Sequence, residues 1–167
     1  MITQLSGSEL RASVRDLAEL LVDAVDGGAS LGFLAPLELP EALDWWQAAV
    51  ADHDLILLVA RNDERIVGTV GIVRGTTPNG RHRGEIVKLI VHRDARGQGL
   101  GRKLLATAEQ AAFGAGLTLL MLDTEADSPA EHLYRSAGWS PYGVVPGYAI
   151  NPAGILRPCS FYFKQLA

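Results

Sequence analysis

Cysteine occurs once in the 167 residues, at Cys159, so an internal disulfide framework and a Cys-based zinc site are both excluded. Long apolar runs are missing as well. The longest, such as Leu-Ile-Leu-Leu-Val-Ala at 55–60, is strand-sized and far below the ~18 residues that a membrane span needs. The opening Met-Ile-Thr-Gln-Leu-Ser has neither a basic start nor an apolar signal core, which predicts a cytoplasmic setting. Charge of one sign is not in large excess: 15 Lys+Arg face 19 Asp+Glu, a net −4 that argues against nucleic acid as a partner. What is present is a globular composition, 48% apolar and 20% charged, which excludes disorder.

The charge is unevenly spread. Residues 74–103 hold eight Lys/Arg and only two acids, Glu85 and Asp94, a local +6 that leaves −10 elsewhere. Residues 1–54 hold ten acids against Arg11 and Arg15. A basic island in an acidic chain predicts an anion site, and the acidic remainder favours a cationic acceptor.

Apolar spacing gives the elements. Ile2–Leu5 reads as a strand, and Ser8 as the cap of one helix carrying Leu10, Val14, Leu17, Leu20, Leu21 and Val25 on one face. Asp26-Gly27-Gly28 stops it, and an apolar linker leads to a helix from about Pro40. Strands are predicted at 55–60, 66–73, 83–91 and 118–123. Helices are predicted from about Leu100 to Ala115 and from Ser128-Pro129 to Gly138. Val144–Val145 and Ser160–Leu166 read as late strands joined by a Pro/Gly-rich loop. Helices, antiparallel hairpins and strand–helix–strand units together predict one mixed α/β layer structure.

The sharpest motif is Arg96-Gly97-Gln98-Gly99-Leu100-Gly101-Arg102-Lys103, between a strand and a helix. Glycines let successive backbone N–H groups face one concavity, and the helix start adds free donors and partial positive charge. That is chemistry for a diphosphate. Gly-x-x-x-x-Gly-Lys-Ser/Thr is absent, and Gly-x-Gly-x-x-Gly does not fit the alternating glycines. Arg-x-x-Gly-x-Gly fits residue for residue. Downstream, the helix ends in Tyr134-Arg-Ser-Ala-Gly138-Trp139.

In these two motifs the chain resembles the GNAT N-acetyltransferases. Gly27–Phe33, Glu85–Val91, Leu122–Asp127 and Val145–Gly154 extend the likeness to the tabtoxin-resistance-protein group within them. The resemblance implies an α/β (α+β) single-domain GNAT fold over 1–167, with a central mixed, mostly antiparallel twisted sheet flanked by helices. It implies acetyl-CoA as cofactor, held by Leu89, Ile90 and Val91 through backbone pairing, by Arg96, Gly97, Gln98, Gly99, Leu100, Gly101 and Arg102 at the phosphates, and by His132 and Tyr134. Ser128 stands where many GNATs carry Asn.

Acetyl transfer to an amine must deprotonate the nucleophile, polarise the thioester carbonyl and protonate the leaving thiolate. By resemblance Tyr134 is the general acid, and a backbone N–H near Leu89–Val91 polarises the carbonyl. Asp123, Glu85 and a water relay all stand open as the base. Leu31, Phe33, Trp46 and Tyr148 are candidate acceptor walls, with Glu125 and Asp127 for a substrate ammonium. His82, His92 and His132 lack a second ligand at metal spacing, so no metal is expected and they read as surface or helix histidines. Cys159 reads as inert. The expected activity is transfer from acetyl-CoA to a primary amine of a small molecule such as an amino-acid-like toxin, antibiotic or metabolite. A protein or peptide acetyltransferase and a non-catalytic acyl-CoA-binding module are the alternatives. A homodimer is an arrangement the family adopts.

Overall fold

The structure, a computed structural model, describes residues 1–167. Seven strands, β1 (Ile2–Leu5), β2 (Leu55–Asn62), β3 (Arg65–Arg74), β4 (Arg83–Val91), β5 (Leu119–Glu125), β6 (Ser140–Ile150) and β7 (Leu156–Gln165), form one sheet. Their order is β1-β2-β3-β4-β5-β7-β6, and only the central β4–β5 pair is parallel. The helices are α1 (Ser8–Ala12), α2 (Val14–Asp26), α3 (Leu39–Val50), α4 (Leu100–Gly114) and α5 (Pro129–Ser136). None is long and apolar enough to cross a membrane.

Strand side chains alternate between two cores. Leu57, Val59 and Ile66 pack under α2 and α3 with Leu17, Leu21 and Trp46. Leu58, Ile72, Leu120 and Tyr162 pack on the other face under α4 and α5 with Leu104, Leu105 and Tyr134. The sheet is therefore sandwiched, with its parallel seam in the middle.

Three expectations change. The first helical stretch is broken: Gly7, at φ 50°, precedes α1, Ser8 is the first helical residue rather than the cap, and Ser13 separates α1 from α2. The short strand expected at Val144–Val145 is an eleven-residue strand, β6, which takes in the start of the stretch expected as a loop. Its Pro141 and Pro146 are tolerated because β6 is the sheet's edge, and register shifts absorb the irregular residues. His92 is buried rather than exposed: its Nδ1 accepts from the Asp94 N–H, and its Nε2 lies 2.8 Å from Arg65.

α5 is anchored by a polar network that hydropathy does not reveal. Tyr162 donates to Glu131 at 2.7 Å and accepts from Arg135 at 2.7 Å. The Asp127 N–H donates to the other Glu131 oxygen at 2.6 Å, and Ser128 Oγ accepts the Glu131 N–H. Burial pushes the Glu131 carboxyl up, but the hydrogen bonds led by Tyr162 outweigh it and hold the group below its ordinary 4.5.

Because that pKa is depressed by folding, its stabilisation is present above the unfolded value and is lost as pH falls through the folded one. Glu131→Gln should cost about 1–3 kcal/mol at neutral pH. Urea melts should show the gap to wild type narrowing below about pH 4.5. A gap that does not change with pH contradicts the charged network.

Candidate active site

The phosphate loop folds as a bare cradle. β4 ends at Val91, the chain makes a 3-10 turn at Arg93–Ala95, and α4 begins at Leu100. Gly97 and Gly99 both sit at φ 75°, a conformation that side chains strain to adopt. A Cβ at either would meet no protein atom within 4 Å, so a side chain there would stand in open space beside the helix start. Gly99 caps α4 with no side-chain hydrogen bond, leaving the first-turn N–H groups for another partner. Arg96 Nε closes the loop onto the Val91 carbonyl at 3.0 Å, and Gln98 is exposed. Leu100 packs against the α4/α5-side core, and Gly101 faces Leu133 of α5, where a Cβ would make an ordinary 3.5 Å contact. Arg102 turns away to the Ser136 hydroxyl and carbonyl.

Beside the cradle the sheet opens. β4 and β5 pair only through Arg83, Gly84 and Glu85 against Leu119, Leu120 and Met121. From Ile86 onward β4 has no partner on that side. On its other side β4 bulges: Gly71 faces Val87 and Thr69 faces Ile90, so Lys88 and Leu89 together oppose Val70. Lys88 takes φ 50° to make the bulge. Leu89, Ile90 and Val91 thus lie along the open part of the strand, with backbone groups available for a ligand running beside it.

The gap joins the sheet's two faces. Tyr134, on α5, reaches it from the α4/α5 side and is 6% exposed, its ring packed against Trp139 and Tyr162. Asp123 and Glu85 belong to the opposite face, with Met121 between them in register. Burial first, and the Asp123 carboxylate second, push the Tyr134 phenol well above the usual range. Burial raises Glu85, Asp123 raises it further, and Lys88 opposes them. The same Asp123 carboxylate is the leading cause that raises Tyr148, which stands edge-to-face on Phe161 at 5.3 Å. Burial and Asp123 push the Cys159 thiol up to about 11, so it stays protonated.

The α2–α3 linker forms a wall over the Glu85 and Asp123 face. Phe33 meets Trp45 edge-on at 6.1 Å. Lys88 Nζ donates to the Leu31 carbonyl at 2.9 Å and lies 4.6 Å from the Trp45 ring. The Ala35 N–H donates to the Pro152 carbonyl at 3.3 Å, tying this linker to the β6–β7 turn.

The chain matches the acetyltransferase (GNAT) family over residues 18–139. It is also 32% identical to an IAA acetyltransferase of Azospirillum brasilense, over 85% of this chain and 89% of that one. The chain belongs to the GNAT family of acetyltransferases. Among solved structures, a ribosomal-protein-alanine N-acetyltransferase of Brucella melitensis superposes with TM-score 0.81 at 24% identity, over 99% of each chain. The yncA protein of Salmonella typhimurium, solved with acetyl-CoA, gives 0.81 at 21% identity, over 100% of this chain and 94% of that one. At those identities the two share the fold. This GNAT chain is an acetyltransferase, and acetyl-CoA is its cofactor. The bare helix start suits the diphosphate of that cofactor, and the open edge of β4 suits its pantetheine arm.

In the GNAT frame some candidates converge and others do not. Tyr134, Asp123 and Glu85 meet at the gap; Leu31, Phe33 and Tyr148 flank it. Trp46 is 1% exposed and packed among Leu17 and Leu21, so most of its ring is core, and only its edge borders the cavity between α3 and the sheet. Glu125 is held by Arg157 at 2.9 Å, which neutralises the carboxylate expected to meet a substrate ammonium. Asp127, exposed at φ 62°, opens the α5 turn. Ser128 Oγ caps α5, and its hydroxyl serves that turn. His132 is exposed, and two residues along the helix set it about 200° from Tyr134. Lys88 was not among the expected site residues, because an uninterrupted Ile-Val-Lys-Leu-Ile run gives no sign of a bulge.

Gly99→Val should raise KM for acetyl-CoA by about tenfold or more, through lost N–H geometry and the strain of a branched residue at positive φ. KM for the amine should stay within about twofold, and steady-state kinetics with each substrate varied checks both. An unchanged KM for acetyl-CoA contradicts the cradle.

Proposed function

We propose that this enzyme moves acetyl to a primary amine on a small molecule, by direct attack while both substrates are bound. The observation that carries the small-molecule reading is the Ala35–Pro152 hydrogen bond. It links the linker wall to the β6–β7 turn, where a protein tail would need an open groove. The acidic side of the cleft suits a cation, and the likeness to the tabtoxin-resistance group agrees with an amino-acid-like acceptor.

Acetyl-CoA supplies the activated thioester, held at the α4 cradle and along Leu89–Val91. Tyr134 Oη keeps its proton at neutral pH because burial and Asp123 disfavour the phenolate, so it acts as a donor to a leaving thiolate. Glu85, raised by burial and by Asp123, is a stronger base than an ordinary carboxylate and takes the ammonium proton. Asp123 attracts the ammonium and adds to the burial that raises the basicity of Glu85. An N–H on the open edge of β4 polarises the carbonyl.

Thiol release, with mass detection of the acetylated product over a panel of primary amines, tests the activity. Tyr134→Phe should lower kcat by about 10²- to 10⁴-fold. Full speed in that variant would refute the acid assignment. In Asp123→Asn the push on Glu85 disappears, so the acid limb of the kcat/KM profile should move to lower pH. Glu85→Gln should remove that limb. A limb that stays in Glu85→Gln and vanishes in Asp123→Asn would reverse the two roles.

A further inference from the structure

Lys88 has no part in the proton chemistry, yet the fold goes to some length to place it. The bulge puts two consecutive residues, Val87 and Lys88, on the acceptor side of β4, whereas Ile86 and Leu89 pack toward the α4/α5 core. The ammonium is then fixed from two directions. One of its three N–H bonds goes to the Leu31 carbonyl at 2.9 Å, and its charge rests 4.6 Å from the Trp45 ring and 5.7 Å from Phe33.

The cleft's charges do not cancel by contact. Lys88, Glu85 and Asp123 are absent from all of the chain's ion pairs. All three feel one another's field, so they are near, but no direct bridge consumes the ammonium. A cation and two anions held apart around one gap are the complement of a zwitterion. Beside Lys88 lies a cavity of about 350 Å³ between α3 and the sheet, its walls mostly apolar, with Trp45, Trp46, Ala49, Leu55 and Val87 among them and Asp52 as the one acid. Such walls suit an apolar side chain.

We infer that Lys88 binds a carboxylate on the acceptor, and that the acceptors are α-amino acids with apolar side chains. This rests on the reading that the acceptor is a small primary amine. The amino group faces Glu85 and Asp123, the carboxylate takes the free N–H bonds of Lys88, and the side chain enters the cavity beside Trp45. Lys88 is thus a specificity-determining residue.

Matched pairs test this: L-phenylalanine against phenethylamine, L-leucine against isoamylamine, and L-methionine against 3-(methylthio)propylamine, with kcat and KM measured for wild type, Lys88→Met and Lys88→Arg. Methionine keeps an unbranched stem on the Trp45 face, so packing is preserved while the charge is removed. Wild type should prefer the amino acid in at least one pair. In Lys88→Met that preference should fall by about 10- to 100-fold, through KM for the amino acid, the size of a lost charge-assisted contact. Lys88→Arg should retain most of it. Wild type that acetylates the decarboxylated amines equally well overturns the inference, as does a parallel loss for both members of each pair in Lys88→Met, which would make Lys88 a structural strut. If neither member of any pair is acetylated, while a peptide amine is, the small-amine reading falls and this inference with it.

Discussion

β4 carries one residue more than β3 can pair, and it loses β5 after three residues. These two irregularities occur on opposite sides of one strand, and the site follows from them. The parting opens a gap through the middle of an otherwise continuous sheet, letting a phenol from one face and carboxylates from the other address the same space. The bulge then reverses the facing of the strand. Glu85 and Val87 share a side with Ile90, not with Leu89 and Val91. A regular β4 would pair fully with both neighbours and leave no edge for a pantetheine arm. Packing supports the distortion from beneath: at Gly71, opposite the bulge, a Cβ would lie 2.9 Å from Val87.

Asp123 organises the electrostatics of that gap. Its field leads in raising Tyr148, adds to the burial that raises Glu85, Tyr134 and Cys159, and opposes the burial that lowers Lys88. The basic island read from composition is distributed differently. Arg74 bonds the Ala115 carbonyl, Arg81 pairs with Asp54, Arg93 with Asp23 and Asp26, and Arg102 with Ser136. Lys88 lies on the acceptor side. The cradle therefore relies more on backbone N–H groups than on the local +6 would suggest.

Legibility in the sequence followed the reach of each signal. Alternation and helical spacing located most strands and helices, and the glycine spacing located the cradle, because these are local patterns. β6 was obscured by its prolines and glycines, which only its edge position makes compatible with a strand. Nothing local marks Glu131, since its partners Tyr162 and Arg135 come together only after folding. Trp46 and Glu125 had suitable chemistry in suitable segments, but packing left only an edge of one at the cavity and Arg157 took the other. Lys88 was hidden because a non-glycine residue at positive φ leaves no compositional trace.

The central claim is that the parting of β4 from β5 is where the cofactor and acceptor meet. A crystal structure of the chain with coenzyme A and L-phenylalanine tests it most directly. The account predicts the diphosphate on the N–H groups of 97–102, the pantetheine paired along Leu89–Val91, and the sulfur between Tyr134 and the amino group. A diphosphate bound away from the α4 start, or a pantetheine arm outside the gap, would contradict it.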